Sequence, residues 1–444
     1  MEQIIVQSFE KLKGQFINFF SGSHKTIEMA EKFSLQAMAE ATTEIMVAYY
    51  EQIDKQIREN KKERKEKQLV IERRDDKREV LTALGTISVK RTYYKKCSGY
   101  TYPLDTIMGL DAYQRISHIT AEELVNTAIH ESFERTSYLV TNHAISKQTV
   151  MNKIRNAHPC EIKYPEVKKV VPVLHIDADE DHVHLQNGKN AIVPLVTIYE
   201  GVDRSTSRHV CINKFQISEY GLSPDALWEK VYRSIDERYD LENTTIYLHG
   251  DGAAWIKQGL EWFEDAKHVL DPYHKNKAIK QATAGMPIQD GRYYQNEIST
   301  CLKNCDKARL AQICTEMCNQ YQNLSKNILH QMKYLSHNLN AIFIRYQDEE
   351  AQNGGATEPH ISHGLSSRLS TRPRGWSAKT LKRFVPIIAA KQAYLSKDET
   401  KEEPNNPHLK MLGLIDPDRV VSIAGSLSGK SSGALYNVFK PIWG

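Results

Sequence analysis

Apolar residues recur at helical spacing twice near the start of the chain. Ile4, Ile5, Phe9, Leu12, Phe16 and Phe19 mark residues 2–20, and Phe33, Leu35, Met38, Ile45, Tyr49, Ile53 and Ile57 mark residues 26–58. Two amphipathic helices are predicted. The charged run 59–67 has no apolar anchors and reads as a solvated extension of the second helix or a hinge. Residues 80–94 alternate around Gly85, with Lys90 and Arg91 beside Ile87, Val89 and Thr92, and Ser98-Gly99 supplies a turn before Tyr100-Thr101-Tyr102-Pro103. A basic, tyrosine-rich β-ribbon follows. Helical periodicity returns over 120–156 and breaks into three short helices, 121–130, 134–142 and 146–156. Ser146 can cap the third, which places Lys147, Gln148 and Thr149 in its first turn, with Lys153 further along. A helix-turn-helix presents base-reading side chains at that position, although short helix bundles show the same pattern.

Beyond a linker the period changes from 3.6 to 2. The run 170–179 is nearly continuously apolar and ends in acids, 183–186 resumes the alternation, and 191–199 and 209–217 are further strands. A helix at 224–238, a strand at 244–248, a helix at 253–263 and a strand at 268–270 complete the order β-β-β-α-β-α-β, that of a ribonuclease-H-like sheet. The next segment, 275–351, reads as a wholly helical insertion. Thr357 then caps a helix to about residue 370, with Pro359 in its first turn. The expectation is an α+β multidomain chain. Its parts are an N-terminal helical region (1–67), a β-ribbon and helix-turn-helix DNA-binding region (68–160), a catalytic domain (170–274 and 352–398), the insertion (275–351) and a tail (399–444).

Composition narrows the class. With 444 residues, 40% apolar and 26% charged, the chain describes a globular protein of several cores. It has no apolar run of the roughly 18 residues a membrane helix needs. The opening Met-Glu-Gln-Ile-Ile lacks the features of a secretory signal, so a cytoplasmic protein is expected. The net charge of +4 says little by itself, but residues 55–96 hold fifteen Lys or Arg against seven Asp or Glu, and a second basic run spans 368–391. Such patches suit phosphate contacts, or simply solvate a helix face. Seven cysteines are scattered; Cys301/Cys305 and Cys314/Cys318 could form a four-thiolate zinc site, but helical i, i+4 spacing favours core packing.

Three acidic positions suit metal-assisted phosphoryl transfer, in which two Mg2+ ions about 4 Å apart activate the attacking oxygen and stabilise the leaving one. At the first, Asp177, Asp179 and Asp181 share one face of the strand, and alternation does not choose among them. At the second, Asp251 follows a buried strand between Gly250 and Gly252, where it can also cap a helix. At the third, Glu358 lies in a helix first turn, followed by His360, His363, Arg368, Arg372 and Arg374. Two decoys carry less weight. Residues 424–431 nearly form a P-loop but too little chain follows for a nucleotide-binding sheet, and His182 and His184 would face away from Asp179.

Several segments in order resemble a known group: residues 85–94 (GTISVKRTYY), 146–150 (SKQTV), 178–183 (ADEDHV), 249–256 (HGDGAAWI), 270–274 (LDPYH), 366–373 (SSRLSTRP) and 375–377 (GWS). The chain is similar to the ISLre-type family of bacterial insertion-sequence transposases (UPF0236-like), distant relatives of Mutator-like transposases. Asp177 stands where Glu is expected and Pro359 where Gly is more usual. The resemblance implies a ribonuclease-H-like catalytic domain interrupted between its second and third acids. It selects Asp179 over the reserve Asp177 and makes Asp179, Asp251 and Glu358 the catalytic ligands of two Mg2+ ions, with Mn2+ as substitute. It also makes His274 an active-site or DNA-contacting residue, supported by His360 and His363. Lys90, Arg91, Ser146, Lys147, Gln148, Thr149, Lys153, Arg368, Arg372 and Arg374 are the expected DNA contacts. The implied partners are terminal inverted repeats, target DNA and a second copy of the chain. The competing readings are a DNA-binding protein or repressor without catalysis and a nuclease on the same fold.

Overall fold

Strand alternation builds the central sheet and gives its two faces different chemistry. The computed structural model describes residues 2–160, 164–205, 209–355, 357–371, 375–391 and 393–394. The near P-loop at 424–431 and the tail lie outside the described residues, as do Arg372 and Arg374.

The N-terminal helices α1 (Glu2–Phe20) and α2 (Ile27–Glu59) form as their periodicity predicts, and Phe19 stacks on Phe33 at 4.0 Å. Buried Asp54 on α2 accepts hydrogen bonds from the backbone N–H and hydroxyl of Thr92, fixing the helix to a β-ribbon. That ribbon pairs β1 (Val70–Thr82) with β2 (Gly85–Lys96), and β3 (Gly99–Thr101) adds to its edge. Strand β1 begins ten residues earlier than the apolar alternation indicates. Its charged first half, residues 72–79, is extended because its backbone pairs with β2, with register shifts around Arg73 and Asp76.

Three helices follow: α3 (His118–His130), α4 (Phe133–Thr141) and α5 (Lys147–Asn156). Each starts at a serine, Ser117, Ser132 and Ser146, whose hydroxyl accepts the N–H three residues on. Asn142 leaves α4 in the left-handed conformation, which turns the chain toward α5.

The main sheet contains β4 (Val173–His184), β5 (Asn190–Tyr199), β6 (Phe215–Ser218), β7 (Thr245–Gly250) and β8 (Lys267–Leu270), in the order β8-β7-β4-β5-β6. The first three pair antiparallel; β7 runs parallel to β4, and β8 parallel to β7. On one face Leu174, Ile176, Ala178, Val196 and Ile198 pack against α6 (Pro224–Asp236) through Leu227, Trp228, Val231 and Ile235. The helix expected at 253–263 is α7 (Ala254–Gln258) continued by a 3-10 turn, Gly259–Trp262. Gly259 is pressed on the Trp228 indole, where a Cβ would come within 2.4 Å of the ring.

The opposite face carries the residues that alternate with these. Its outer part is apolar: Val183, Leu185, Ala191, Val193 and Leu195 share a core with Leu124, Val125, Ile129, Val150 and Ile154 of the three-helix segment and with Phe384 and Ile388. The boundary expected near residue 160 is therefore not a packing boundary. Arg155 on α5 also donates to Thr380 and Ser377.

The insertion is helical throughout its main span: α8 (Pro272–Ala282), α9 (Ile288–Lys303), α10 (Lys307–Gln320), α11 (Ser325–His337) and α12 (Leu339–Gln347) enclose their own core of Ile298, Leu302, Ile313, Met317, Ile328 and Leu335. Cys301, Cys305, Cys314 and Cys318 are free thiols packed in or against that core, and among the described residues they form no metal-binding cluster. The helix expected from Thr357 is α13 (Thr357–Ile361), which widens into a π turn, Ser362–Ser366, before Ser367–Leu369. The last helix among the described residues, α14 (Ala378–Ala390), covers the sheet.

Candidate metal and active site

At the carboxyl ends of the parallel strands, β4 turns its polar face toward α8 and α13. Ligand atoms of Asp179, His274 and Glu358 lie within 4.8 Å of one another. Asp179 comes from β4, His274 from the first turn of α8 and Glu358 from the first turn of α13. Asp251 stands just past β7 and acts electrostatically on Asp179, but it is outside that tight group. Its Oδ1 accepts the Ala253 N–H at 2.8 Å, and its backbone carbonyl accepts the Tyr334 hydroxyl at 2.8 Å.

The electrostatics suit a cation. The Asp179 carboxyl is pushed up to about 7 by burial, with the carboxylates of Asp251, Asp271 and Glu358 acting in the same direction. Its Oδ1 accepts the Glu180 N–H at 2.8 Å. The Nε2 atom of His274 is buried and has no hydrogen-bond partner. An orphaned imidazole nitrogen beside two carboxylates is a donor set that fits a divalent ion.

Asp271 holds two of these elements together. One carboxylate oxygen accepts the N–H groups of Tyr273 and His274 and so caps α8; the other accepts the Thr357 hydroxyl, one residue before Glu358. Its carboxyl is raised chiefly by burial. The pattern Asp-Pro-x-x is a helix-start signal, but the link to Thr357 spans 86 residues and has no local signature.

Asp177 does different work from Asp179. Its Oδ1 accepts the Tyr199 hydroxyl at 3.0 Å and the Gly355 N–H at 3.3 Å, and its Oδ2 lies 3.3 Å from His360 Nδ1. Burial raises this carboxyl, but His360, His249 and Tyr199 outweigh it and hold it below the ordinary value. Asp177 and His360 thus anchor the approach to α13. Beneath them, His175 Nδ1 and His249 Nε2 lie 3.1 Å apart in the core, and burial lowers His249 to about 3. Gly354 lies over this pair, where a Cβ would meet His249 Nε2 at 2.2 Å. On the other side, Trp255 Nε1 donates to Glu180 at 2.6 Å, joining the Asp251 loop to β4. Gly250 lets β7 approach the Ala178 carbonyl, which a Cβ would meet at 2.9 Å.

The expected DNA contacts divide into two groups. Lys90, Ser146, Lys147 and Gln148 are exposed, while Thr149 and Lys153 are half-buried and burial lowers the Lys153 ammonium. His363 is exposed on the π turn. Two arginines are internal instead. Arg91 pairs with Asp105 and lies over the Tyr102 ring, so it braces the ribbon. Arg368 is 4% exposed, donates to the Ala128 carbonyl and packs among Phe133, Trp376 and Phe384. Neither has its charge turned to solvent, so the phosphate role expected of them gives way to a structural one. Among the described residues no helix is long and apolar enough to cross a membrane.

Fold and site together define a class: an α+β protein whose mixed five-stranded sheet brings acids and an imidazole from strand β4 and two helix starts into one group that could hold a metal ion. The chain belongs to the uncharacterised protein family UPF0236, whose description matches residues 25–403. It is similar to UPF0236 proteins of Caldanaerobacter subterraneus subsp. tengcongensis. One is 39% identical over 341 residues, covering 76% of this chain and 71% of the relative. Another is 36% identical over 384 residues, covering 85% and 79%. A third, 38% identical over 345 residues (76% and 72%), carries eleven locus designations in that one organism.

Proposed function

We propose that the protein is a transposase of the three-acid kind, cutting and joining DNA at the ends of an insertion sequence. The observation that carries the reading is the convergence of Asp179 and Glu358, 179 residues apart in sequence, with Asp251 close enough to act on Asp179. The sheet order, three antiparallel strands followed by two parallel ones, supports a ribonuclease-H-like assignment. One protein under eleven locus designations in a single organism is the distribution that a self-copying element leaves, and it supports mobility rather than housekeeping catalysis.

Asp179, Asp251 and Glu358 are the residues that would hold two Mg2+ ions, with Mn2+ as substitute. Bound ions would supply charge neutralisation at the scissile phosphate and a lowered pKa for the attacking hydroxyl or water. The chain's own part is to present carboxylates from rigid elements, with Asp271 and Asp177 holding α8 and α13 in place. Exposed Lys147 and Gln148 at the start of α5 suit the reading of inverted repeats. Two ends must be held together, so the reading requires at least two copies of the chain.

The test separates binding from cutting. Asp179→Ala, Asp251→Ala and Glu358→Ala are each expected to lower cleavage of an element end by about a thousandfold or more, the scale of losing one centre of electrostatic stabilisation. Affinity for the inverted repeat in a gel-shift assay should stay within about threefold. Undiminished cleavage in any one variant removes that residue from the triad.

A further inference from the structure

The acids account for only part of the cluster. His274 is not an acid, yet one of its ring nitrogens lies within 4.8 Å of the ligand atoms of both Asp179 and Glu358. Its backbone N–H is capped by Asp271, whose other oxygen bonds the Thr357 hydroxyl. The imidazole and the Glu358 carboxylate are therefore aimed from two helix starts that share one anchor. Nε2 is buried without a hydrogen-bond partner. A buried ring nitrogen left unpaired is costly unless something binds it, and the carboxylates of Asp179 and Glu358 stand close enough to the ring to share a cation with it.

We propose that His274 is a direct metal ligand, so that one of the two ion positions is a two-carboxylate, one-imidazole site that favours Mn2+ over Mg2+. Magnesium prefers an all-oxygen shell, whereas a nitrogen donor raises affinity along the first-row series. The inference rests on the metal-dependent reading above and assigns a donor atom that the three acids do not. Asp271 is a positioning residue in this arrangement: it touches no ion and sets the direction of His274 and the start of α13.

The experiment uses the full chain without DNA. Mn2+ is titrated and followed by electron paramagnetic resonance, and pulsed spectra of the bound ion are examined for coupling to a coordinated 14N. The wild type should show that coupling, and competition should show Mn2+ bound at least tenfold more tightly than Mg2+. His274→Gln should lose the coupling and bind Mn2+ more weakly by about tenfold or more, while Asp271→Asn should keep a nitrogen signal with weakened binding. Circular dichroism and thermal melting establish that each variant is folded. If His274→Gln unfolds, selective 15N-histidine labelling of the wild type replaces it, since a coordinated imidazole changes the coupling pattern. Mn2+ bound without nitrogen coupling, and lost in Asp179→Asn, would overturn the His274 assignment and leave the carboxylate site standing. Absence of any Mn2+ binding would overturn both.

Discussion

Arg368 shows how chemistry read from a charge run differs from chemistry read in place. Its guanidinium lies 4.9–5.2 Å from three aromatic ring centres and its Nε donates to the Ala128 carbonyl at 2.7 Å. Arg368→Ala removes these contacts and orphans a carbonyl, so stability should fall by roughly 2–4 kcal/mol, the range of large-to-small core substitutions. The salt dependence of DNA binding by the folded variant should be unchanged, because no phosphate contact is lost. Denaturant unfolding and salt-titrated gel shifts check both; unchanged stability with a shallower salt slope would return Arg368 to the DNA surface. The same contrast separates Asp177 from Asp179. Alternation put both on one face, and that was legible. What distinguishes them is Tyr199, Gly355 and His360, which reach Asp177 from β5 and the start of α13, and no local pattern announces partners that distant.

At the scale of elements, periodicity revealed those that bury a stripe. The three serine-capped helices, the other main-sheet strands and the helical insertion stand within a few residues of their expected positions, but the strand expected at 209–217 divides: Val210–Cys211 pairs with Val202–Asp203 outside the main sheet, and only Phe215–Ser218 joins it. The first half of β1 was not legible, because an exposed ribbon buries no stripe and is held by backbone pairing. The π turn after Ile361 was hidden for a related reason: nothing in Ser362–Ser366 breaks helical spacing. The join before α13 is the element on which the site depends most. Gly354 lies against the His175–His249 pair and Gly355, at φ +86°, donates to Asp177. Gly354→Ala should displace this join, lowering end cleavage by about tenfold or more while leaving inverted-repeat binding intact, since a misplacement of about 1 Å costs on the order of a hundredfold. Kinetics equal to wild type would show that Glu358 is held by other means.

Across the whole molecule, the boundaries drawn from composition are only partly those of packing. The insertion has its own core, yet Tyr334 on α11 bonds the Asp251 carbonyl, and Lys257 on α7 donates to Asn338 at the end of α11. A segment separate in sequence thus braces the loop of the second acid. The three-helix segment shares its core with the sheet, which ties a candidate DNA-reading surface rigidly to the site. Such coupling lies in long-range contacts and was not visible along the chain. In the proposed function one protein binds element ends, cuts them and joins them. The measurement that tests it most directly supplies purified protein, Mg2+ or Mn2+, a labelled DNA carrying two inverted-repeat ends and a target plasmid. A transposase cuts at the ends and yields joined products, and both are lost in Asp179→Ala. Binding without cutting in either metal, or cutting that does not depend on the repeats, would contradict it.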